Sequence, residues 1–121
     1  MLNKLRDRVT SFLARNHVCV ISTSGSLGAW AAIAQYENDC LALNCRLPRW
    51  LDVVYYLEQD PHVTIIIQDA HSDQLCWLQY RGVAQVTEST DDQFIAIHIT
   101  PTRIDLLDES RVWGTRETLD L

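Results

Sequence analysis

The order of elements in this chain predicts an α+β protein, mainly antiparallel β, whose six strands curl into a barrel. Three observations lead there. An amphipathic helical stretch opens the chain, six strand-like runs follow, and one further helical stretch falls between the third and fourth of them. Six twisted strands of this kind close on themselves. At 121 residues, with 47% apolar and 21% charged side chains, the chain reads as one globular domain spanning residues 1–121.

Taken in order, Leu2, Leu5, Val9, Phe12 and Leu13 recur at helical spacing among charged residues, and the helix ends near Arg15-Asn16. Residues 17–23 are rich in β-branched side chains and predict a strand. Ser24 to Gly28 form a turn, and residues 29–36 the return strand of a hairpin. A second turn is expected at Glu37-Asn38-Asp39, then a third strand over residues 40–44. Pro48 suits the first turn of a helix, which carries Trp50, Leu51, Val54 and Leu57 on about one face and stops at Asp60-Pro61. Residues 63–67 are apolar on both faces, as in a central strand covered twice.

A polar loop at 69–74 leads into a long alternating strand over 75–88, with Cys76, Leu78, Tyr80, Ala84 and Val86 on its core side. Gly82 inside it marks a bulge or a close approach. The last run, from Phe94, passes Pro101, which must lie at a bulge or edge, and resumes through Ile104, Leu106 and Leu107.

Charge narrows the function. A net charge of −6 argues against nucleic acid and anionic membranes as partners. The first residues lack a signal core, so a cytoplasmic location is expected. The histidines, His17, His62, His71 and His98, are scattered without metal-ligand spacing, and no nucleophile elbow or P-loop ending is present. Cys19, Cys40, Cys45 and Cys76 read as reduced core residues. Cys45 is the exception, because nearby arginines would lower its thiol pKa and make it a candidate redox group.

One cluster points to a ligand. Asn44-Cys45-Arg46-Leu47-Pro48-Arg49-Trp50 sets two arginines between a strand end and an expected helix start. Arginine forks match phosphate oxygens, and a helix N-terminus adds free N–H groups. Trp113 and Arg116, in the polar tail beginning at Asp108, could cover a planar phosphorylated ligand or fold back on the chain.

The short signatures around this cluster resemble the pyridoxamine 5′-phosphate oxidase-like, FMN-binding split β-barrel family. They are Val18-Cys19-Val20-Ile21-Ser22-Thr23, Gly28-Ala29-Trp30-Ala31, Arg46-x-x-Arg49-Trp50, Asp60-Pro61-His62-Val63, Arg81-Gly82-Val83-Ala84-Gln85-Val86 and Pro101-Thr102-Arg103-Ile104. The resemblance implies a homodimer with FMN in clefts between chains. It implies Arg46 and Arg49 on the phosphate with Asn44 nearby, and Ala31, Ala32 and Ile33 bordering the ring; Trp50 beside Arg49, and Trp113 and Arg116 from the tail, join them as candidate cofactor residues. It also implies departures: Arg49 replaces the family's lysine, Trp77 stands where the oxidases carry glutamine, and their C-terminal substrate segment is missing. The expectation is therefore an FMN oxidoreductase that is not a true pyridoxamine phosphate oxidase. The alternative is a non-catalytic module of the same fold carrying haem, a deazaflavin or no ligand.

Overall fold

The computed structural model describes residues 2–25, 28–87, 92–109 and 116–121. Along them run α1 (Leu2–Arg15), β1 (Val18–Gly25), β2 (Gly28–Asp39), β3 (Ala42–Pro48), α2 (Val53–Gln59), β4 (His62–Gln68), β5 (Cys76–Thr87), β6 (Phe94–Asp108) and β7 (Arg116–Asp120). Every pairing is antiparallel. The sheet runs β3-β2-β1-β4-β5-β6, and a further pairing of β3 with β6 closes it into a six-stranded barrel, with β7 added to β6.

β6 makes the closure possible because its 15 residues serve three neighbours. β5 pairs with it between residues 96 and 108, β3 pairs with residues 94–99, and β7 pairs with residues 103–107. Pro101 falls in the gap between β3 and β7, where no neighbour needs an N–H from it. Opposite Pro101 stands Gly82, at a register shift in β5. A Cβ there would meet the Thr100 carbonyl oxygen at 2.6 Å and Ile99 Cγ2 at 2.9 Å, so the glycine is required by close packing.

Period-two alternation fills the barrel. Cys19, Ile21, Tyr36, Leu43, Cys45, Leu47, Ile65, Ile67, Leu78, Tyr80, Ile97 and Ile99 are all buried, and α1 adds Val9, Phe12 and Leu13 to the same core. The two tyrosines satisfy their hydroxyls inside it: Tyr36 donates to the Leu13 carbonyl at 2.9 Å and Tyr80 to the Leu41 carbonyl at 2.6 Å. Burial pushes both phenols above their ordinary pKa.

The end of α1 is tied down by side chains. A helix leaves its last carbonyls without intrahelical partners. Here Asn16 donates to the Phe12 carbonyl at 3.0 Å, and His71 Nε2 lies 2.8 Å from the Arg15 carbonyl. Asp69, on the loop after β4, receives Arg15 Nη2 at 2.8 Å, Asn16 Nδ2 at 3.3 Å and the His71 N–H at 3.1 Å. The Arg15 guanidinium, despite desolvation, holds the Asp69 carboxyl below its ordinary pKa, with the His71 N–H and Asn16 amide assisting.

Several boundaries differ from the sequence expectation. The turn expected at 37–39 lies at Cys40-Leu41, where Cys40 adopts φ 52°, so β2 runs to Asp39. β3 is longer than expected and includes Pro48, which pairs opposite Phe94 and takes no part in a helix. α2 starts only at Val53, because β6 continues to supply β3 with partners. Val86, expected in the core, is exposed near the end of β5. β7 is a seventh strand that the polar tail did not advertise. No helix among the described residues is long and apolar enough to cross a membrane.

Two consequences can be measured by denaturant unfolding. Gly82→Ala should destabilise by about 1–3 kcal/mol, the usual cost of overpacking a filled core. Asp69→Ala should cost about 1–3 kcal/mol at neutral pH, from lost charged hydrogen bonds. Because the folded pKa of Asp69 is depressed, its contribution is complete above the unfolded value of about 4 and fades as pH falls through the folded one. The gap between the parent and Asp69→Ala should therefore narrow in acid.

Candidate functional site

A barrel filled by its own side chains leaves its outer face for ligands, and Asn44, Arg46, Ala31 and Ile33 of the sequence-predicted residues stand there. Asn44 and Arg46 alternate outward on β3, opposite Glu37 and Gln35 of β2. His98 on β6 donates Nδ1–H to Asn44 Oδ1 at 2.8 Å. The Arg46 guanidinium lies over the Phe94 ring, 4.4 Å from its centroid. His17, Gln35, Glu37, Asn44, Arg46 and Ala96 line a groove of about 420 Å³.

Arg49 follows in the turn after β3, its backbone N–H bonded to the Gln93 carbonyl at 2.9 Å. The predicted strand end and helix start do not coincide at the arginines: Arg46 is within a strand, and α2 opens four residues beyond Arg49. Helix N–H groups thus lose their assigned part in phosphate binding. Trp50 is in the same turn with 79% of its surface exposed, off the helix face on which it was expected.

On β2, Ala31 and Ile33 face outward, whereas Ala32 turns inward and is half-buried. Arg116 opens β7 opposite Leu107, exposed. Trp113 lies outside the described residues.

Cys45 is not a reactive thiol. It is 1% exposed inside the barrel, and contact with Cys19 together with burial pushes its pKa up, opposite to the expected effect of the arginines. Arg46 is on the other side of the strand, and Arg49 lies beyond its end. Cys40 is the exposed cysteine.

A second depression, of about 580 Å³, was not legible in the sequence. It lies between the β1–β2 pair and the β4–β5 pair and is bordered by Thr23, Trp30, Ala31, His62, Arg81 and Gly82. Asp60 orients His62, accepting its backbone N–H at 3.0 Å and its Nδ1–H at 2.9 Å. Ser22 and Thr102 spend their hydroxyls on the Thr64 and Arg81 carbonyls. Thr23 differs: it is 6% exposed, and its Oγ1 has no partner among the described residues. A buried hydroxyl left so costs about 1–3 kcal/mol.

Between the two depressions runs an apolar row. Ile33 of β2, Val20 of β1 and Ile66 of β4 stand side by side in register. Ile33 is 73% exposed, Val20 opposite it 39%, and Val18, two residues back along β1, 55%.

Solved structures share this architecture. General stress protein 26 from Bacillus anthracis superposes with a TM-score of 0.79 at 18% identity, covering 97% of this chain and 98% of that one. A protein from Clostridium acetobutylicum related to general stress protein 26, of the pyridoxinephosphate oxidase family, gives 0.81 at 11% identity over 98% and 95%. The fold is the pyridoxamine 5′-phosphate oxidase-type split barrel. A heme binding protein from Mycobacterium smegmatis carries it too, with a TM-score of 0.77 at 16% identity over 95% of this chain, which spans 57% of that longer one. No family model matches the sequence, and no curated protein does.

The cysteine environments make one prediction. A maleimide or iodoacetamide should modify native Cys40 first. Cys45 and Cys19 should react only at the rate of unfolding, as peptide mass mapping after timed quenching would show. Fast labelling of Cys45 would contradict its place in the core.

Proposed function

We propose that this chain is a small oxidoreductase that pairs with a second copy of itself and holds FMN at the edge of the interface. The observation carrying the reading is the outward row of exposed Ile33 and Val20 and half-buried Ile66, with Arg46 at its flank. An open apolar row on a sheet calls for a cover. A two-fold related copy presents the same row and is self-complementary to it.

FMN needs an apolar wall for its ring and fixed donors for its phosphate. On β2, Ala31 and Ile33 supply a wall with small and aliphatic side chains. The β2–β3 groove supplies Arg46, with Asn44 on the same strand and Arg49 in the next turn. Four extended residues, about 13 Å, separate Ala31 from Gln35, the residue opposite Arg46. A ring with a ribityl phosphate bridges such a span. Glu37, at the far side of the groove, repels an anion and favours the phosphate at the Arg46 end. Bound FMN would supply the electron transfer, while these side chains hold and orient it.

Haem is the second reading. It too is planar and anionic, His17 shares the groove with Arg46, and a heme binding protein is among the structures of this fold.

An absorption spectrum after loading with FMN and desalting tests both. About one flavin per chain should remain, in line with one site per protomer. Arg46→Ala/Arg49→Ala should lose it with little change in unfolding midpoint, since exposed charges contribute about 0–1 kcal/mol. Ile33→Glu should give monomers by sedimentation and lose the flavin as well. Retention of FMN by the double variant would overturn the phosphate assignment. A Soret band with haem, and no retained flavin, would select the second reading.

A further inference from the structure

Resting on the reading of the Arg46 groove as the phosphate site, we infer that His98 is a positioning residue for the anion held there. By binding the Asn44 side-chain oxygen, it turns the Asn44 amide nitrogen toward the groove.

Strand register builds the arrangement. Glu37 of β2, Asn44 of β3 and His98 of β6 form one row of directly opposed outward side chains. Asn44 lines the groove with Glu37 and Arg46, whereas His98 stands behind it and is half-buried. The asparagine is thus set between an imidazole on one side and a carboxylate on the other.

An exposed asparagine does not choose its own orientation. Its terminal torsion is broad and nearly two-fold, so oxygen and nitrogen exchange places at little cost. For an anion the two orientations are opposite, because the amide nitrogen donates to it and the oxygen repels it. His98 makes the choice here, since its Nδ1–H donates to Asn44 Oδ1 at 2.8 Å. Asn44 Nδ2 then faces the side of Glu37, an acceptor, and so the groove. Both neighbours favour one orientation. Arg46, two residues along the same face, supplies charge, and the held amide adds a neutral donor of fixed direction. Fixing a rotor beforehand removes an entropic cost that binding would otherwise carry.

Sulfate is the probe, because it keeps both its charges around neutral pH. Titrated into the FMN-free full chain, it should saturably shift the Asn44 side-chain and Arg46 backbone amide resonances. His98→Leu should weaken sulfate about threefold or more, the share of one neutral hydrogen bond that orientation controls. His98→Gln, which also carries N–H donors, should restore most of that affinity. Adding His98→Leu to Asn44→Ala should change nothing further, since the histidine acts only through the amide. A merely structural histidine would weaken both backgrounds alike.

The ring gives a second readout that needs no variant. At a pH where His98 is neutral, its ring nitrogen shifts should place the proton on Nδ1. A proton on Nε2 would make Nδ1 an acceptor, reverse the amide and overturn the proposal. Unchanged affinity in His98→Leu, or an equal loss in the Asn44→Ala background, would overturn it too. A parent chain that binds no sulfate beside Arg46 would remove the phosphate reading of the groove together with this role of His98. A parent that binds it, with His98 variants unaffected, would remove the role of His98 alone.

Discussion

Six registered pairs between β3 and β6, from Leu43 opposite Ile99 to Pro48 opposite Phe94, turn an open sheet into a barrel. Without them β3 would be a free edge, and Asn44, Arg46 and His98 would not share one surface. The pairing depends in turn on β6 being long enough to leave β3 and continue along β7. Pro101 and Gly82 manage that handover: the proline gives up an N–H where none is needed, and the glycine lets the Thr100 carbonyl come close. The split in the barrel is therefore a local matter of two residues, with consequences for every strand.

Closure also decides where chemistry can occur. Eight-stranded barrels have interiors just wide enough for side chains, and a six-stranded one is narrower still. Tyr36, Tyr80 and a shell of aliphatic residues fill this interior and satisfy their own hydroxyls on backbone carbonyls. Any ligand must bind outside, on side chains that alternate away from the core. The same parity separates Arg46, which points out, from Cys45, which points in. Neighbours in sequence thus acquire opposite environments, and the arginine cannot activate the thiol beside it.

Much of this was legible from residues alone. Apolar spacing located α1 and every barrel strand, and Gly82 and Pro101 announced their special positions. The misplaced boundaries have a common cause in long-range pairing. Pro48 satisfies the local rule for a helix start, yet a strand 46 residues away in sequence holds it in β structure opposite Phe94. Likewise Cys40, with no turn preference of its own, takes φ 52° because the registers of β2 and β3 leave only two residues to reverse the chain. The Asn44–Arg46 cluster could be read in advance since its residues are adjacent. The Thr23 cleft could not, because Thr23, Trp30, His62 and Arg81 are united only by three strand registers.

The core and the outer face obey different logics, and that difference is the best guide to function. Inside, local preference, packing and hydrogen bonding agree, as they should in a sequence selected for one structure. Outside, they conflict. Burying a side chain the size of Ile33 stabilises by about 1.5–3 kcal/mol, and most of that is forfeited while Ile33 stays open. The unpaired Thr23 hydroxyl costs a similar amount. A chain of this size has a net stability of only about 5–15 kcal/mol, so two such losses are a large share of it. Both fall on the paired strands β1 and β2. Both losses would be recovered by the proposed second copy and its cofactor, which would cover Ile33 and Val20 beside Arg46.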